Sequence, residues 1–198
     1  NSLEFGGIDG ILEVDICLKV DTINEIEDSD NKISFKPKML AYDIETDEFE
    51  IGKGHIVMIS LVGDNFNKVL TWKGDIDKSS KDDLSHKESY VEKFKDEVEM
   101  IEKFVEYVKS YDPDILVGYF SDGFDLPYLK ARAEKNKIKL NLGIDNSQPT
   151  FTRGRVLTGK INGIVHIDLL RFIRIVYSQY LQSETLSLNE IASELLGE

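Results

Sequence analysis

The stretch Met39–Thr46 reads Met-Leu-Ala-Tyr-Asp-Ile-Glu-Thr, an apolar run that passes into alternating acidic and apolar positions. Strand side chains alternate between faces, so this pattern predicts a β-strand, entered at Pro37. His55–Gly63 and Lys68–Trp72 follow as strands, with a turn signalled by Gly63-Asp64-Asn65. Three strands with short connections predict an antiparallel start to a sheet. Glu88–Tyr111 has a different period. Its apolar residues, from Val91 and Phe94 to Phe104 and Val108, recur at three and four, which predicts one amphipathic helix.

Asp112-Pro113-Asp114 ends that helix, and Ile115–Phe120 reads as a buried strand. A second helix is expected from near Asp125, with Pro127 in its first turn, where a missing N–H costs little. Residues 150–170 predict a hairpin in which Val156–Ile161 and Ile164–Leu170 flank the turn Asn162-Gly163. Leu170–Tyr180 predicts a helix, and Ser187-Leu188-Asn189-Glu190 is a capping box for a final one, with Leu186 and Ile191 as its staple. Upstream, Ile11–Ile16 alternates like a strand, Asn24–Lys32 is a polar connector, and residues 74–87 read as a surface loop. Strands first and then helix and strand in alternation indicate a mixed α/β domain. We place it at residues 37–198, with residues 1–36 as the tail of a preceding domain and a connecting segment.

Composition adds limits. The chain's 198 residues, 41% of them hydrophobic, can build a sizeable core. No apolar run approaches the roughly 20 residues that span a membrane, and no N-terminal signal pattern is visible. The single cysteine, Cys17, excludes an internal disulfide and fits a reducing, cytoplasmic setting. A first residue Asn1 and a last residue Glu198 directly after a helical pattern lead us to expect that both ends are cut. The net charge of −13 argues against a nucleic-acid partner, but residues 128–163 carry eight Lys/Arg against two acids. That stretch either tracks phosphates or is a solvated helix face and hairpin.

The candidate chemistry lies in the acids. Asp43, Glu45, Asp47, Glu48 and Glu50 crowd into eight residues, and such runs are usually solvated. Asp43 and Glu45 differ from the rest because they sit two apart on a strand that is still apolar, so they share a face. Like charges held that close call for a cation between them, and hard oxygen ligands suit Mg²⁺ or Mn²⁺. Asp125 is a third candidate, following a buried strand and opening a helix, where ligands of open α/β sheets collect. Its alternative role is a carboxylate that favours the helix macrodipole, a task Asp122 can also perform. Phe124 beside it is part core and part stacking surface. Histidines His55, His86 and His166 have no metal-ligand spacing, and no Gly-rich phosphate loop, nucleophilic Ser/His/Asp set or Cys/His cluster is present.

Asp43-Ile44-Glu45-Thr46 together with Gly118-Tyr119-Phe120-Ser121-Asp122-Gly123-Phe124-Asp125-Leu126-Pro127-Tyr128-Leu129 resembles the first two exonuclease motifs of archaeal-type family B DNA polymerases. Val165–Leu170 and Ser187–Glu198 are similar to segments further along in that family, so the likeness covers about residues 39–198, with a thinner one over 8–20. The resemblance implies an RNase H-like mixed sheet flanked by helices, acting as the proofreading 3′–5′ exonuclease domain of a DNA polymerase. It implies that Asp43, Glu45 and Asp125 hold two divalent metals, and that Thr46, Phe120 and Phe124 line the path of the 3′ end. The reaction implied is two-metal hydrolysis of the 3′-terminal phosphodiester, releasing nucleoside monophosphates. Implied partners are DNA, the remaining polymerase domains in the same chain and a sliding clamp.

The sequence departs from the family in three ways. Phe120 stands where the family has Asn, so an amide that could hydrogen-bond substrate is replaced by an aromatic that either stacks instead or fills the core. The third motif, a Tyr followed four residues later by a metal-binding Asp, falls beyond the segment resembling Ser187–Glu198, so three of four carboxylates are present and weak or no activity is expected of this segment alone. Tyr180 and Glu184 have the spacing but the wrong place and the wrong acid. Asp168 is the remaining acid in reach, read as a strand-end or helix-capping carboxylate in preference to a replacement ligand. Two further readings stay open: a stand-alone nuclease of the same fold, and a non-catalytic DNA-binding scaffold.

Overall fold

The structure is a computed structural model, which describes residues 21–22, 35–74, 90–154, 156–183 and 185–197. The expected strand Ile11–Ile16, the connector Asn24–Lys32, Cys17 and nearly all of the loop 74–87 lie outside these residues. The chain divides into two compact units, Asn1–Lys36 and Pro37–Glu198, and the second carries every element below.

Strand β1 (Met39–Thr46) pairs antiparallel with β2 (Ile56–Gly63), which pairs antiparallel with β3 (Phe66–Thr71). The turn between β2 and β3 places Asn65 at a positive φ of 55°, a conformation Asn tolerates better than most residues. This is the antiparallel start that three strands with short connections predict. The expected helix over Glu88–Tyr111 is shorter. Val91–Lys93 is strand β4, parallel to β3, and helix α1 runs from Glu97 to Tyr111. The boundary is chemical: the Asp96 carboxylate accepts from the Glu99 N–H at 3.0 Å, and the Glu99 carboxylate accepts from the Lys95 N–H at 2.9 Å. Asp96-x-x-Glu99 is thus a helix-start signal inside the apolar periodicity.

Strand β5 (Ile115–Gly118) lies parallel to β1, and helix α2 (Asp125–Lys135) follows it. Residues 150–170 rearrange the expected hairpin. The pair is β6 (Thr150–Arg153) with β7 (Leu157–Lys160), a separate two-stranded sheet. Asn162-Gly163 still makes the turn, with Gly163 at φ 78°, but only Ile161 and Ile164 bridge across it. The chain then departs as β8 (Val165–Asp168), parallel to β5. The free edge of β5 takes this strand in register over four residue pairs, which outcompetes continuing the hairpin. Helices α3 (Leu169–Val176) and α4 (Leu188–Leu196) complete the unit. Ser187 caps α4 as expected, its hydroxyl 3.4 Å from the Glu190 N–H; the Glu190 carboxylate turns to the hydroxyls of Ser183 and Thr185 instead of closing the box.

The main sheet runs β4-β3-β2-β1-β5-β8, a mixed sheet flanked by helices. Its covered face buries Leu40, Tyr42, Ile44, Ile59, Leu61 and Leu116 against Met100, Phe104 and Val108 of α1 and Leu126 and Leu129 of α2. The parallel strands β1, β5 and β8 all end at one edge, so the segments leaving the three strands gather there. No helix among the described residues is long and apolar enough to cross a membrane.

One buried ion pair fastens the helical layer to the sheet. The Arg132 guanidinium makes a two-pronged contact with the Glu97 carboxylate, with Nε to Oε1 at 2.8 Å. Glu97 also accepts from the Ile56 N–H at 2.8 Å and from Asn136 at 3.0 Å, so one acid joins α1, α2 and β2. These contacts hold its pKa below the usual carboxylate range although burial works the other way. Removing one partner of such a pair strands a buried charge. Arg132→Ala is therefore expected to destabilise the chain by roughly 3–5 kcal/mol, and the double change Glu97→Met with Arg132→Met by much less. Urea unfolding of the single and double variants checks this.

Candidate active site

The site begins with the pleat of β1. Leu40, Tyr42 and Ile44 point into the core, so Asp43 and Glu45 must point together to the other face, which is open. Their cross-strand neighbours on β2 are Ser60 and Met58, which bring no positive charge. The pairing slips by one residue between Glu45 and Thr46, where β1 leaves the sheet. Thr46 is half-buried, and its hydroxyl donates to the Glu48 carbonyl at 3.0 Å. Beyond it Asp47 belongs to the surface: it pairs with Lys73 and accepts from the His55 N–H at 2.6 Å.

Asp125 comes to the same place from the other direction. It is the first residue of α2 and only 3% exposed. Its Oδ1 accepts from the Ile44 N–H at 3.1 Å, which brings its carboxylate to the backbone link between Asp43 and Glu45. Burial, then the Asp43 charge, pushes the Asp125 pKa up to about 7. The Asp43 pKa is raised too, by burial first and then by Glu45. No Lys or Arg among the described residues pairs with Asp43, Glu45 or Asp125. The structure thus couples Asp125 to Asp43 and Asp43 to Glu45. The three do not converge into one compact set: among the described residues no three His, Cys, Asp or Glu side chains close on a common point.

What aims Asp125 is the turn after β5. Phe124, the residue before α2, supplies no side-chain cap, and its half-buried ring packs on Tyr128 with centroids 5.3 Å apart. Asp122 does not cap α2 either. Its Oδ1 accepts from the Gly159 N–H at 2.8 Å and its Oδ2 lies 3.5 Å from Arg171, so it ties the turn to β7 and α3. Asp168 caps α3, accepting from the Arg171 N–H at 3.2 Å, and the same carboxylate takes the N–H groups of Phe120 at 3.1 Å and Asp122 at 3.0 Å. Three N–H groups thus give it the helix-capping role.

Sequence spacing assigns no role to His166, yet the structure does. Its side chain is 1% exposed, with Nε2 3.1 Å from the Ser121 hydroxyl and 3.3 Å from Tyr42, and Nδ1 3.3 Å from Asp122. Burial lowers its pKa against the pull of Asp122. In the sequence it shows only as a polar residue inside a strand; in the fold it fixes the turn behind the carboxylates.

Phe120 holds a positive φ of 60°. Left-handed backbone costs an aromatic residue about 1–2 kcal/mol and is one that Asn adopts more readily. The Asp168 contact to its N–H, and its own carbonyl accepting from Gly123 and Phe124 at 3.0 Å each, hold it there. Its ring packs against Gly123, where a Cβ would sit 2.4 Å from the ring edge.

With this geometry in place, comparison with known proteins is informative. The family model described as "DNA polymerase family B, exonuclease domain" matches residues 11–191. Over 141 residues the chain is 44% identical to a DNA polymerase of Pyrococcus glycovorans, covering 69% of this chain and 17% of that protein. It is 45% identical over 139 residues to DNA polymerase 1 of Pyrococcus abyssi (68% and 17% covered) and 42% identical over 145 residues to a DNA polymerase of Thermococcus litoralis (69% and 8%). The chain therefore spans about a sixth or less of these relatives. The family B DNA polymerase of Pyrobaculum calidifontis shares the fold, with a TM-score of 0.63 over 83% of this chain and 19% of that one, at 22% identity.

Two outcomes are expected from this geometry. A carboxyl whose folded pKa is raised binds a proton more tightly in the native state, so stability is highest below the unfolded pKa of about 4 and falls as pH rises towards 7. Asp125→Asn, which keeps an oxygen for the Ile44 N–H, is expected to flatten that decline and to be the more stable protein at pH 8; thermal melts from pH 4 to 8 check it. Phe120→Asn is expected to gain about 1 kcal/mol by relieving the left-handed backbone, read as a higher urea midpoint at unchanged slope.

Proposed function

We infer the function of this chain from one premise: it belongs to the exonuclease domain of DNA polymerase family B. Its proposed activity is proofreading, the hydrolytic removal of the 3′-terminal nucleotide from DNA with release of a nucleoside monophosphate, inside a longer polymerase. The observation that carries this reading is the buried Asp125 carboxylate held against Asp43, with no Lys or Arg among the described residues paired to either. Such a pair is destabilised in the ionised form and is relieved by a divalent ion.

The donor chemistry fits that ion. Asp43, Glu45 and Asp125 offer only hard carboxylate oxygens, the ligands Mg²⁺ and Mn²⁺ prefer, and they would hold it. When bound, the ions supply an activated water and stabilise the charge that gathers on the phosphate oxygens. The chain's own residues do the rest. The Ile44 N–H orients Asp125, and β1 keeps Asp43 and Glu45 on one face. Thr46, Phe120 and Phe124 are the proposed contacts of the unpaired 3′ end. Phe124 is half-buried against Tyr128, and Phe120 is 49% exposed beside it. Selection needs no base readout, because a frayed end costs least to draw from the duplex.

The proposed partners are DNA with an unpaired 3′ end and the remaining domains of the polymerase. A non-catalytic DNA-binding role is favoured by one observation, that the three carboxylates do not converge among the described residues. Excision by the intact polypeptide separates the two. Asp43→Ala is expected to slow mononucleotide release from a 3′-mismatched primer by at least about a hundredfold, the scale of losing one preorganised charge-stabilising group, while template-directed extension persists. Unaltered excision would overturn the site, and an intact polypeptide with no excision to lose would favour the non-catalytic role.

A further inference from the structure

Strand β5 lies between β1 and β8, so Tyr42 and His166 sit on strands that do not pair. Their side chains nevertheless meet, with Nε2 of His166 3.3 Å from the Tyr42 hydroxyl. Gly118 on the intervening strand makes this possible. A Cβ there would lie 3.3 Å from the Tyr42 ring, 2.5 Å from the Ser121 Cβ and 2.8 Å from the Ser121 hydroxyl oxygen. The space a side chain would occupy over β5 is thus filled by Ser121, whose hydroxyl is 3.1 Å from the same His166 nitrogen.

Both ends of this contact lead to a site carboxylate. Tyr42 directly precedes Asp43 on β1. The Ser121 carbonyl accepts at 3.0 Å from the N–H of Leu126, the residue after Asp125. Pairing of β1 with β5 has already ended at Ala41 and Val117, so β5 does not hold β1 at the level where the Ile44 N–H meets Asp125. Ser121, His166 and Asp122 also stand in the order of a nucleophilic set, with Nδ1 3.3 Å from Asp122. Ser121 is 0% exposed and the His166 side chain 1%, so no substrate reaches that hydroxyl, and what remains for the group is placement. The Asp122 carboxylate can only accept, which puts the proton of a neutral imidazole on Nδ1 and leaves Nε2 as the acceptor facing the two hydroxyls.

We propose that His166 is a positioning residue for the carboxylate site: its Nε2 joins Tyr42 to Ser121 over Gly118 and so sets how closely β1 brings Asp43 to Asp125. The inference rests on the exonuclease reading for what the two carboxylates do, but not for the contacts that place them. One ring then carries the spacing between a strand and a helix that have little else in common at that level. Gly118 is part of the same device, since any side chain there would push Ser121 away from the ring.

The test follows amide hydrogen exchange of the 198-residue chain in EDTA, where the Ile44 N–H reports the Asp125 contact directly. His166→Leu, which removes the acceptor and keeps an apolar side chain, is expected to speed Ile44 exchange roughly 5- to 20-fold, the scale of one or two lost hydrogen bonds. Ile101 and Val108 in α1 should change much less. His166→Gln, which retains an acceptor at similar reach, should restore the Ile44 protection. Ser121→Ala is a smaller change at the same contact and should reproduce the Ile44 loss, which keeps the test open should His166→Leu not fold. In the intact polypeptide His166→Leu is expected to lower kcat for mismatch excision by roughly 10- to 100-fold at unchanged KM for the primer, as a misplaced group does, and His166→Gln to recover it. Ile44 protection unchanged in both His166→Leu and Ser121→Ala would overturn the proposal. So would a loss equal at Ile44, Ile101 and Val108, which makes His166 a core filler, or parental kcat in His166→Leu. Unaltered excision by Asp43→Ala would instead remove the exonuclease reading, and exchange at Ile44 would still decide the placement.

Discussion

The Asp168 carboxylate is the contact on which the rest of the site depends. It ends β8, starts α3 and takes three backbone N–H groups, from Phe120, Asp122 and Arg171. Those donors would otherwise be left without partners where two strands and a helix meet, and stranding buried donors costs about 1–3 kcal/mol each. Because two of them lie in the turn after β5, the same carboxylate fixes the route from that strand into α2. Asp125 is where it is because Asp168 is where it is. The parallel pairing of β5 with β8 brings the two together, with Gly118 opposite Asp168 in the register.

Around this contact the polar interior forms a connected set. His166 links Tyr42 of β1, Ser121 and Asp122 of the turn, and Asp122 in turn reaches β7 through Gly159. The links run between strands and turn and brace the turn, with His166 Nδ1 left without a hydrogen-bond partner 3.3 Å from Asp122. Asp43 and Asp125 stand just outside the set and are not neutralised by it. That asymmetry separates structural from functional acids: Glu97, Asp122 and Asp168 are matched by N–H groups and guanidinium, while Asp125 is left ionising near neutral pH against Asp43. The matched acids hold the fold and the unmatched ones carry the proposed chemistry.

Much of the sheet was legible in the chain. Alternation found β1, whose burial alternates because one face is covered and the other open, while β2 and β3 were read as runs separated by turn residues. It failed where apolar residues at helical spacing were shared between a strand and a helix: Val91 and Phe94 continue the stripe of α1 in sequence, but Asp96 breaks it with a cap. The Asn162-Gly163 signal was also real as a turn and misleading as a hairpin, since local turn chemistry says nothing about which edge the next strand will join. Among the candidate site residues, the shared face of Asp43 and Glu45 followed from their spacing alone.

The sequence by itself determined the mixed α/β class, the facing of Asp43 and Glu45 to one side of a strand and, through the resemblance of its two motifs, the family. These are local properties: a period of two, a period of three to four, and a run of residue types read in order. Only the tertiary structure decided that Asp125 is buried beside Asp43, that Asp122 serves β7 instead of capping α2, and that Asp168 and His166 hold the turn. Only it set the Phe120 ring against Gly123 on a left-handed backbone. Each of these joins residues distant along the chain, and burial and charge at such a junction depend on which strand edges pair, a choice made by the whole sheet.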